Sequence, residues 1–552
     1  MLRPLTIAGN QTKTLARPAQ GLLLGGILAS VVAVHLAVDV ASEPFFNSDE
    51  TRHVMMGVFF RDVLHDLPVT HLRDYAIRYY LQYPALNLLI WPPLFHVAEG
   101  AVMLLFGCSV WAAKAALAFF VALACAYLYG FVVRTHDSWT AATTVLVFAL
   151  CPLVFSYSRQ VMLEVPALAL SLASMYHFLC YLERGRRRDL LIAAVTAALS
   201  ALTRFDAVYL LLFFLITLGM RGGLRQLARK EVVLAAALAL ILVVPFYVLT
   251  IVEIGWGHFR SIEAGNDVSS GFFDPRNLLY YASCLPGQIG WAAAVFACVG
   301  IVVAVKNGLG SSGAYAAMIV ATFFTFAFLG IVEPRHAIYW IPAFALFAAE
   351  GVRFTSQWFG AWGRLILSGL IVGATFWATW QVPAPYVRGY EDAAHYVVDH
   401  NKGSSFCLID TYLEGNLVYY IRLHDPHRRL WVLRGDKVFY GVLSDPSYAY
   451  VEHVQGQKAL LAEIFRYDPE LIVIEDPRIG PPLAMADFLR SVIRDHPERF
   501  RLEATIPIDT NRPEFANATL KIYRNLLRNP ASDHQVDIDM LWLRRRLQVS
   551  VP

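Results

Sequence analysis

The sequence predicts a polytopic α-helical membrane protein that ends in a water-soluble α/β domain. Three observations carry this reading. Mean hydropathy over the 552 residues is +0.48, and only 16% of residues are charged, against about 25% in a soluble domain. Apolar runs near the roughly 20 residues that a spanning helix needs recur through the first 385 residues. Beyond residue 386 the apolar runs shorten to the length of strands.

About eleven candidate spans follow, at 21–40, 111–133, 139–156, 165–182, 189–203, 206–220, 232–251, 286–305, 313–331, 336–350 and 364–381. The run Pro93–Phe106 has only about 14 residues and reads as an interfacial or re-entrant helix. With the amino terminus in the cytoplasm, alternate loops carry Arg134, Arg184 and Arg186 to Arg188, Arg221 to Lys230, Lys306, and Arg353 with Arg364. All then lie inside, as the positive-inside rule requires. Counting 93–106 as a span would turn these clusters outward. The first run, Gly21–Val40, reads as an anchor and not as a cleaved signal.

This arithmetic divides the chain into a membrane domain, 1–385, with an outer loop at about 42–110, and an outer domain, 386–552. The outer domain alternates strand-like runs (Phe406–Asp410, Leu430–Arg434, Leu471–Glu475) with helical patterns (Gln457–Tyr467, Ala484–Asp495). That alternation predicts a small α/β domain with a largely parallel sheet. No glycine-rich phosphate motif follows those strands, so no nucleotide cofactor is expected there. A net charge of +3 without a Lys/Arg tract excludes a nucleic-acid footprint. Cys125, Cys151, Cys180 and Cys298 fall in apolar runs, and Cys407 alone lies in the outer domain, which therefore has no internal disulfide. No internal repeat of fixed period is evident, which argues against a transporter of duplicated halves.

Candidate chemistry collects on the outer face. In Asp49-Glu50-Thr51-Arg52-His53, Ser48 reads as an N-cap, and Asp49, Arg52 and His53 share one helical face. From spacing alone these residues also describe a capped amphipathic helix on the membrane surface. Glu164 stands at the outer end of a span, where an ionisable group is costly; it also fits a simple helix start before Pro166. Arg159, Arg204 and Arg335 break the inside bias, each in a short outer connection. A single one reads as a snorkelling anchor. Three beside Asp49 and Glu164 suggest a shared anionic ligand, best a phosphate or pyrophosphate. His96 and Glu99 share a face of the short helix, where packing and metal ligation both fit.

Taken in order, Asp49-Glu50, Pro92-Pro93-Leu94, Glu164, Thr203-Arg204 and Pro334-Arg335-His336 resemble the motifs of membrane glycosyltransferases with the GT-C fold. The branch resembled contains the protein O-mannosyltransferases and the aminoarabinose transferases of lipid A (glycosyltransferase family 39), which take a sugar from a polyprenyl-phosphate carrier. The resemblance covers about residues 20–350. It implies that Asp49, with Glu50 and Glu164, forms the catalytic acidic group. It also implies that Arg52 and Arg204, joined by Arg335 and Arg159, contact the carrier phosphate. His53, Trp91 and His336 would line the sugar or acceptor pocket, and Glu164 would hold a divalent metal ion or position the acceptor. This sequence departs from the pattern in having Trp91 before the prolines, where the two subgroups have Lys or His, and His53 in place of Tyr.

The expectation is an inverting glycosyltransferase of the plasma (inner) membrane. It would use a polyprenyl-phosphate-linked sugar donor among membrane lipids, and its outer domain would be external. A flippase for a lipid-linked anion, or a sensor or scaffold acting through the outer domain, are the alternatives from other classes.

Overall fold

The computed structural model describes residues 17–40, 45, 48–255, 275–327, 333–401, 406–442, 450–527, 529, 535–540 and 545–551. The amino-terminal part is helical: α1 (Arg17–Val40), α2 (Ser48–Asp66), α3 (Leu72–Gln82), α4 (Leu94–Phe106), α5 (Val110–Val133), α6 (Ser138–Leu150), α7 (Pro152–Tyr157) and α8 (Glu164–Arg184). There follow α9 (Arg187–Ala201), α10 (Tyr209–Met220), α11 (Lys230–Ile254), α12 (Pro275–Ile289), α13 (Trp291–Lys306), α14 (Gly313–Ala327), α15 (Ile341–Thr355) and α16 (Gly360–Trp380). Among the described residues, six helices are long and apolar enough to cross a membrane, or seven if the bent pair α12–α13 is one span.

Two expected spans are not single helices. The run 139–156 breaks at Cys151, whose ψ of 152° is extended, because Pro152 disfavours a helical residue before it. The run 286–305 turns through 118° at Gly290, where φ is +83°, so only α13 continues along the expected axis. Other ends follow local chemistry. The Ser109 side chain accepts the Ala112 N–H at 3.1 Å and starts α5, while Asp137 accepts from Trp139 and Thr140 and starts α6. Gly300 and Gly351 let α13 and α15 touch: a Cβ on Gly300 would meet the Phe347 carbonyl oxygen at 1.9 Å.

The carboxyl-terminal part is a five-stranded sheet with flanking helices. Its strands are β1 (Phe406–Asp410), β2 (Trp431–Arg434), β3 (Leu471–Asp476), β4 (Phe500–Pro507) and β5 (Thr519–Asn525), in spatial order β2-β1-β3-β5-β4. β1 pairs parallel with β2 and β3, as the alternating pattern requires, and all three are apolar up to a charged carboxyl-terminal end because both faces are covered. β5 and β4 add antiparallel, so the sheet is mixed, not largely parallel. β4 alternates exposed and half-buried residues as an outer strand should. The helices are α17 (Tyr390–His400), α18 (Glu414–His424), α19 (Gly456–Tyr467) and α20 (Ala484–Asp495).

The two parts are joined by more than the chain. α18 lies on α2, and Leu81 of α3 belongs to the apolar core of the sheet domain. Buried Asp62 accepts Arg422 Nη2 and the Tyr79 hydroxyl, both at 2.7 Å. Arg428 reaches Asp66 at 2.6 Å, and Arg434 Nη1 donates to the Pro84 carbonyl at 2.6 Å. The outer loop between the first two long helices is thus the platform on which the sheet domain rests.

Candidate active site

The starts of α2, α8 and α15 and the end of α9 converge beneath the sheet domain. The elements that meet there are held by short polar contacts. Glu50 is buried and accepts the Val161 N–H at 3.1 Å, tying α2 to the turn before Glu164. Leu94 N donates to the Leu202 carbonyl at 3.0 Å, tying the prolines of the outer loop to the Arg204 connection. Gln288 Nε2 donates to the Pro334 carbonyl and accepts from Trp340 Nε1, each at 2.9 Å, and so fixes the turn that carries Arg335.

Two layers of charge result. In the lower one, Arg204 is 3% exposed and Glu164 is 0% exposed. Arg204 Nη1 donates to Glu164 Oε1 at 2.6 Å, and Arg204 Nε donates to Asp206. In the upper layer, Arg335 lies between Glu164, at 3.7 Å, and Asp49, at 3.9 Å, and also pairs with Glu333. Arg52 lies 3.7 Å from the other oxygen of Asp49. Both contacts to Asp49 exceed hydrogen-bonding range. Asp49 is 26% exposed and Arg52 30% exposed, so carboxylate and guanidinium are both within reach of solvent.

Aromatic rings make the floor. Trp91 stacks on Phe205 with centroids 5.9 Å apart, the Arg204 guanidinium lies over Trp91, and His53 meets Trp91 edge-on at 5.4 Å. His53 is buried and bonded to His96, Nδ1 to Nε2, at 3.0 Å. Burial, then the positive charges of Arg204, Arg335 and Arg52, hold the His53 pKa down to about 3, so it stays neutral. His336 stacks on Phe326 at 5.7 Å, and the Arg159 guanidinium lies over the Phe155 ring at 5.5 Å.

The structure therefore links Asp49, Arg52, Glu164, Arg204 and Arg335 in one chain of charge contacts, with Trp91 against Arg204 and His53 against Trp91. Glu50 serves as a tie between elements, and Arg159 and His336 are held by aromatic neighbours. Asp206 had a signal in sequence, an acid two residues after a buried arginine. Glu414 had none. It lies 362 positions from Arg52, yet takes Arg52 Nη2 at 3.3 Å and Arg434 Nη2 at 2.8 Å. The sheet domain thus supplies a carboxylate to the rim of the site.

Glu164 Oε1 is engaged by two guanidinium groups, which oppose a cation there, while its Oε2 is buried without a hydrogen-bond partner. His96 and Glu99 do not converge as ligands: His96 turns to His53, while both Glu99 carboxyl oxygens are buried without a hydrogen-bond partner, against Gly57. Among the described residues, ligand spacing is met by His177, Cys180 and Asp189. Cys180 lies sixteen residues along α8 from Glu164, about 24 Å away by helical rise.

Residues 91–248 match the family model for dolichyl-phosphate-mannose-protein mannosyltransferase. Among curated protein sequences, none matches the chain. In three dimensions it is similar to ArnT from Cupriavidus metallidurans in the apo state, with TM-score 0.62 and 14% identity over 93% of this chain and 100% of that one. ArnT bound to undecaprenyl phosphate aligns over the same shares with TM-score 0.60 and 14% identity. The archaeal oligosaccharyltransferase AglB from Archaeoglobus fulgidus, in complex with an inhibitory peptide and a dolichol-phosphate, aligns over 81% of this chain and 69% of that one, with TM-score 0.51 and 12% identity. The chain is a membrane protein with the GT-C fold seen in ArnT and AglB, and its segment 91–248 matches the mannosyltransferase family model.

Proposed function

We propose that this protein is an inverting glycosyltransferase that moves a sugar from a polyprenyl-phosphate donor to an acceptor hydroxyl at the outer face of the plasma (inner) membrane. The observation that carries this reading is Asp49. Its part-exposed carboxylate lies within 4 Å of both Arg52 and Arg335, a proton acceptor set beside two guanidinium groups. The likeness to a structure with undecaprenyl phosphate and another with dolichol-phosphate supports a lipid-linked donor.

In this reading the acceptor oxygen attacks the anomeric carbon and its proton passes to Asp49. The bond from that carbon to the carrier phosphate breaks, and its electron pair leaves with the phosphate. Arg335 and Arg52 meet the charge that develops there. A transition state with oxocarbenium character asks for a flat, apolar seat beside it, which Trp91 and neutral His53 supply. Arg204 acts below the reacting atoms: held by Glu164 and Asp206, it positions Glu164, which in turn orients Arg335. Guanidinium groups hold Glu164 Oε1, which leaves only the buried Oε2 to a divalent ion, so charge neutralisation is assigned to the arginines.

The test is incubation of the purified protein with a panel of polyprenyl-phosphate hexoses and pentoses and a hydroxyl acceptor extract. Release of free polyprenyl phosphate with one donor is expected. Absence of release from every donor, in a preparation that binds polyprenyl phosphate, would overturn the reading.

A further inference from the structure

Helix α2 carries a second polar feature well away from Asp49. Arg61 lies twelve residues further on, about 18 Å along the helix axis. A cavity of about 230 Å³ opens there between α2, the turn before α5, and α18 of the sheet domain. Val58, Arg61, Cys108, Tyr419, Arg422 and Leu423 line it.

Its polar groups are unevenly used. Arg422 is committed to Asp62, to the Tyr79 hydroxyl and to the Asp425 carbonyl. Arg61 gives Nη1 to Asp62 at 2.7 Å, but its Nε is buried without an acceptor. Tyr419 is 1% exposed and its hydroxyl is also buried without a partner. Arg61 and Arg422 share the one carboxylate of Asp62, and the acids Glu99 and Glu391 stand further off, beyond Tyr419. A buried donor without an acceptor is destabilising, so an anion that satisfies both donors fits the site.

The surroundings point to the bilayer. The strand of chain that carries Cys108 runs from exposed Leu105 and Phe106 to exposed Trp111, and Ser109 caps the long apolar helix α5. Aromatic and aliphatic side chains in such a position seat at the membrane boundary. The cavity is smaller than the roughly 300–1,000 Å³ that holds a drug-sized molecule, so a headgroup fits where a whole glycan would not.

We infer that this cavity binds the phosphate headgroup of an anionic membrane lipid, on the same side as Asp49. Arg61 and the Tyr419 hydroxyl would donate to the phosphate, with the acyl chains lying along Leu105, Phe106 and Trp111. The site is separate from the transfer reaction and does not depend on it.

Cys108 in the wall reports occupancy. The full-length protein would be placed in nanodiscs and Cys108, half-buried in the wall, labelled with maleimide and read by peptide mass spectrometry, with labelling of the denatured protein as the access control. Three conditions are compared: phosphatidylcholine alone, phosphatidylcholine with phosphatidic acid, and phosphatidylcholine with added inorganic phosphate. Phosphatidic acid should slow Cys108 labelling about tenfold, as a site occupied nine-tenths of the time would, and leave labelling of the denatured protein unchanged. Arg61→Ala and Arg61→Gln should both abolish the protection, and Tyr419→Phe should reduce it. Equal labelling in all three conditions, or protection that survives both Arg61 variants, would overturn the inference. Protection by inorganic phosphate alone would make it a site for a soluble anion, and would overturn the lipid assignment as well.

Discussion

Arg204 and Arg335 are the sharpest contrast this site offers, because two arginines a few ångströms apart are predicted to fail in different ways. Arg204 is almost wholly buried and serves two carboxylates, Glu164 and Asp206. Arg204→Ala strands Asp206 and leaves buried Glu164 only the more distant Arg335, in a medium that cannot hydrate them. Breaking a buried pair from one side costs about 3–5 kcal/mol, which should lower the melting midpoint in detergent by several degrees. Arg335 is 17% exposed, and its contacts to Glu164 and Asp49 are 3.7 and 3.9 Å, so its loss leaves less buried charge unanswered. Arg335→Ala should melt near wild type yet lose about a hundred- to a thousandfold in kcat, the usual effect of removing one donor to developing charge. Arg335→Lys should recover only part of this, because an ammonium lacks the planar fork. Removing Glu164 together with Arg204 should restore part of the lost stability, a coupling of about 0.5–3 kcal/mol. Melting curves and donor turnover on the same preparations decide the matter. An Arg204→Ala protein of wild-type stability, or an Arg335→Ala protein of wild-type turnover, would refute the two-layer assignment.

Asp62→Ala should leave Arg422 buried and unpaired, cost about 3–5 kcal/mol, and speed protease cleavage at the 381–386 junction as the sheet domain loosens. Burial alone would raise the Asp62 pKa, but Arg422, Arg61 and Tyr79 outweigh it and hold it below the usual carboxylate range. Its contribution is therefore full above the unfolded value and fades as pH falls through the folded one; the difference in melting midpoint between wild type and Asp62→Ala should shrink in acid. Glu475 behaves in the opposite sense: burial pushes its pKa up to about 7 from 4.5, so the folded state holds a proton that the unfolded state has lost. The stability of wild type relative to Glu475→Gln should fall on the order of 3 kcal/mol between pH 4.5 and 7 and then level off; a flat difference would contradict it.

What the sequence made legible was set by local chemistry. Hydropathy located the helices, and Asp49, Glu164, Arg204 and Arg335 stood out because charge at a membrane boundary demands a reason. The strands Phe406–Asp410 and Leu471–Glu475 were readable because doubly covered strands are apolar throughout. The bend at Gly290 and the break at Pro152 were missed because a hydropathy window averages over one residue. The antiparallel pair β5–β4 was missed because β4 is polar on one face and carries little apolar signal. Glu414 was invisible for a different reason: its partner Arg52 lies in another part of the chain, and only the docking of α18 on α2 brings them together. The division of labour between Arg204 and Arg335 was equally hidden, since burial decides it and both stand in similar short connections.

The central claim is that the Asp49 site cleaves a lipid-linked donor and does not carry it intact across the bilayer. Proteoliposomes loaded with a polyprenyl-phosphate sugar on one leaflet test this most directly, with free polyprenyl phosphate and translocated intact donor measured in the same sample. Wild-type protein should release polyprenyl phosphate with inversion at the anomeric carbon. Asp49→Asn, which keeps shape but cannot take the proton, should release it at least about a hundredfold more slowly while still binding donor. Intact donor on the opposite leaflet without release, or release undiminished in Asp49→Asn, would contradict the account.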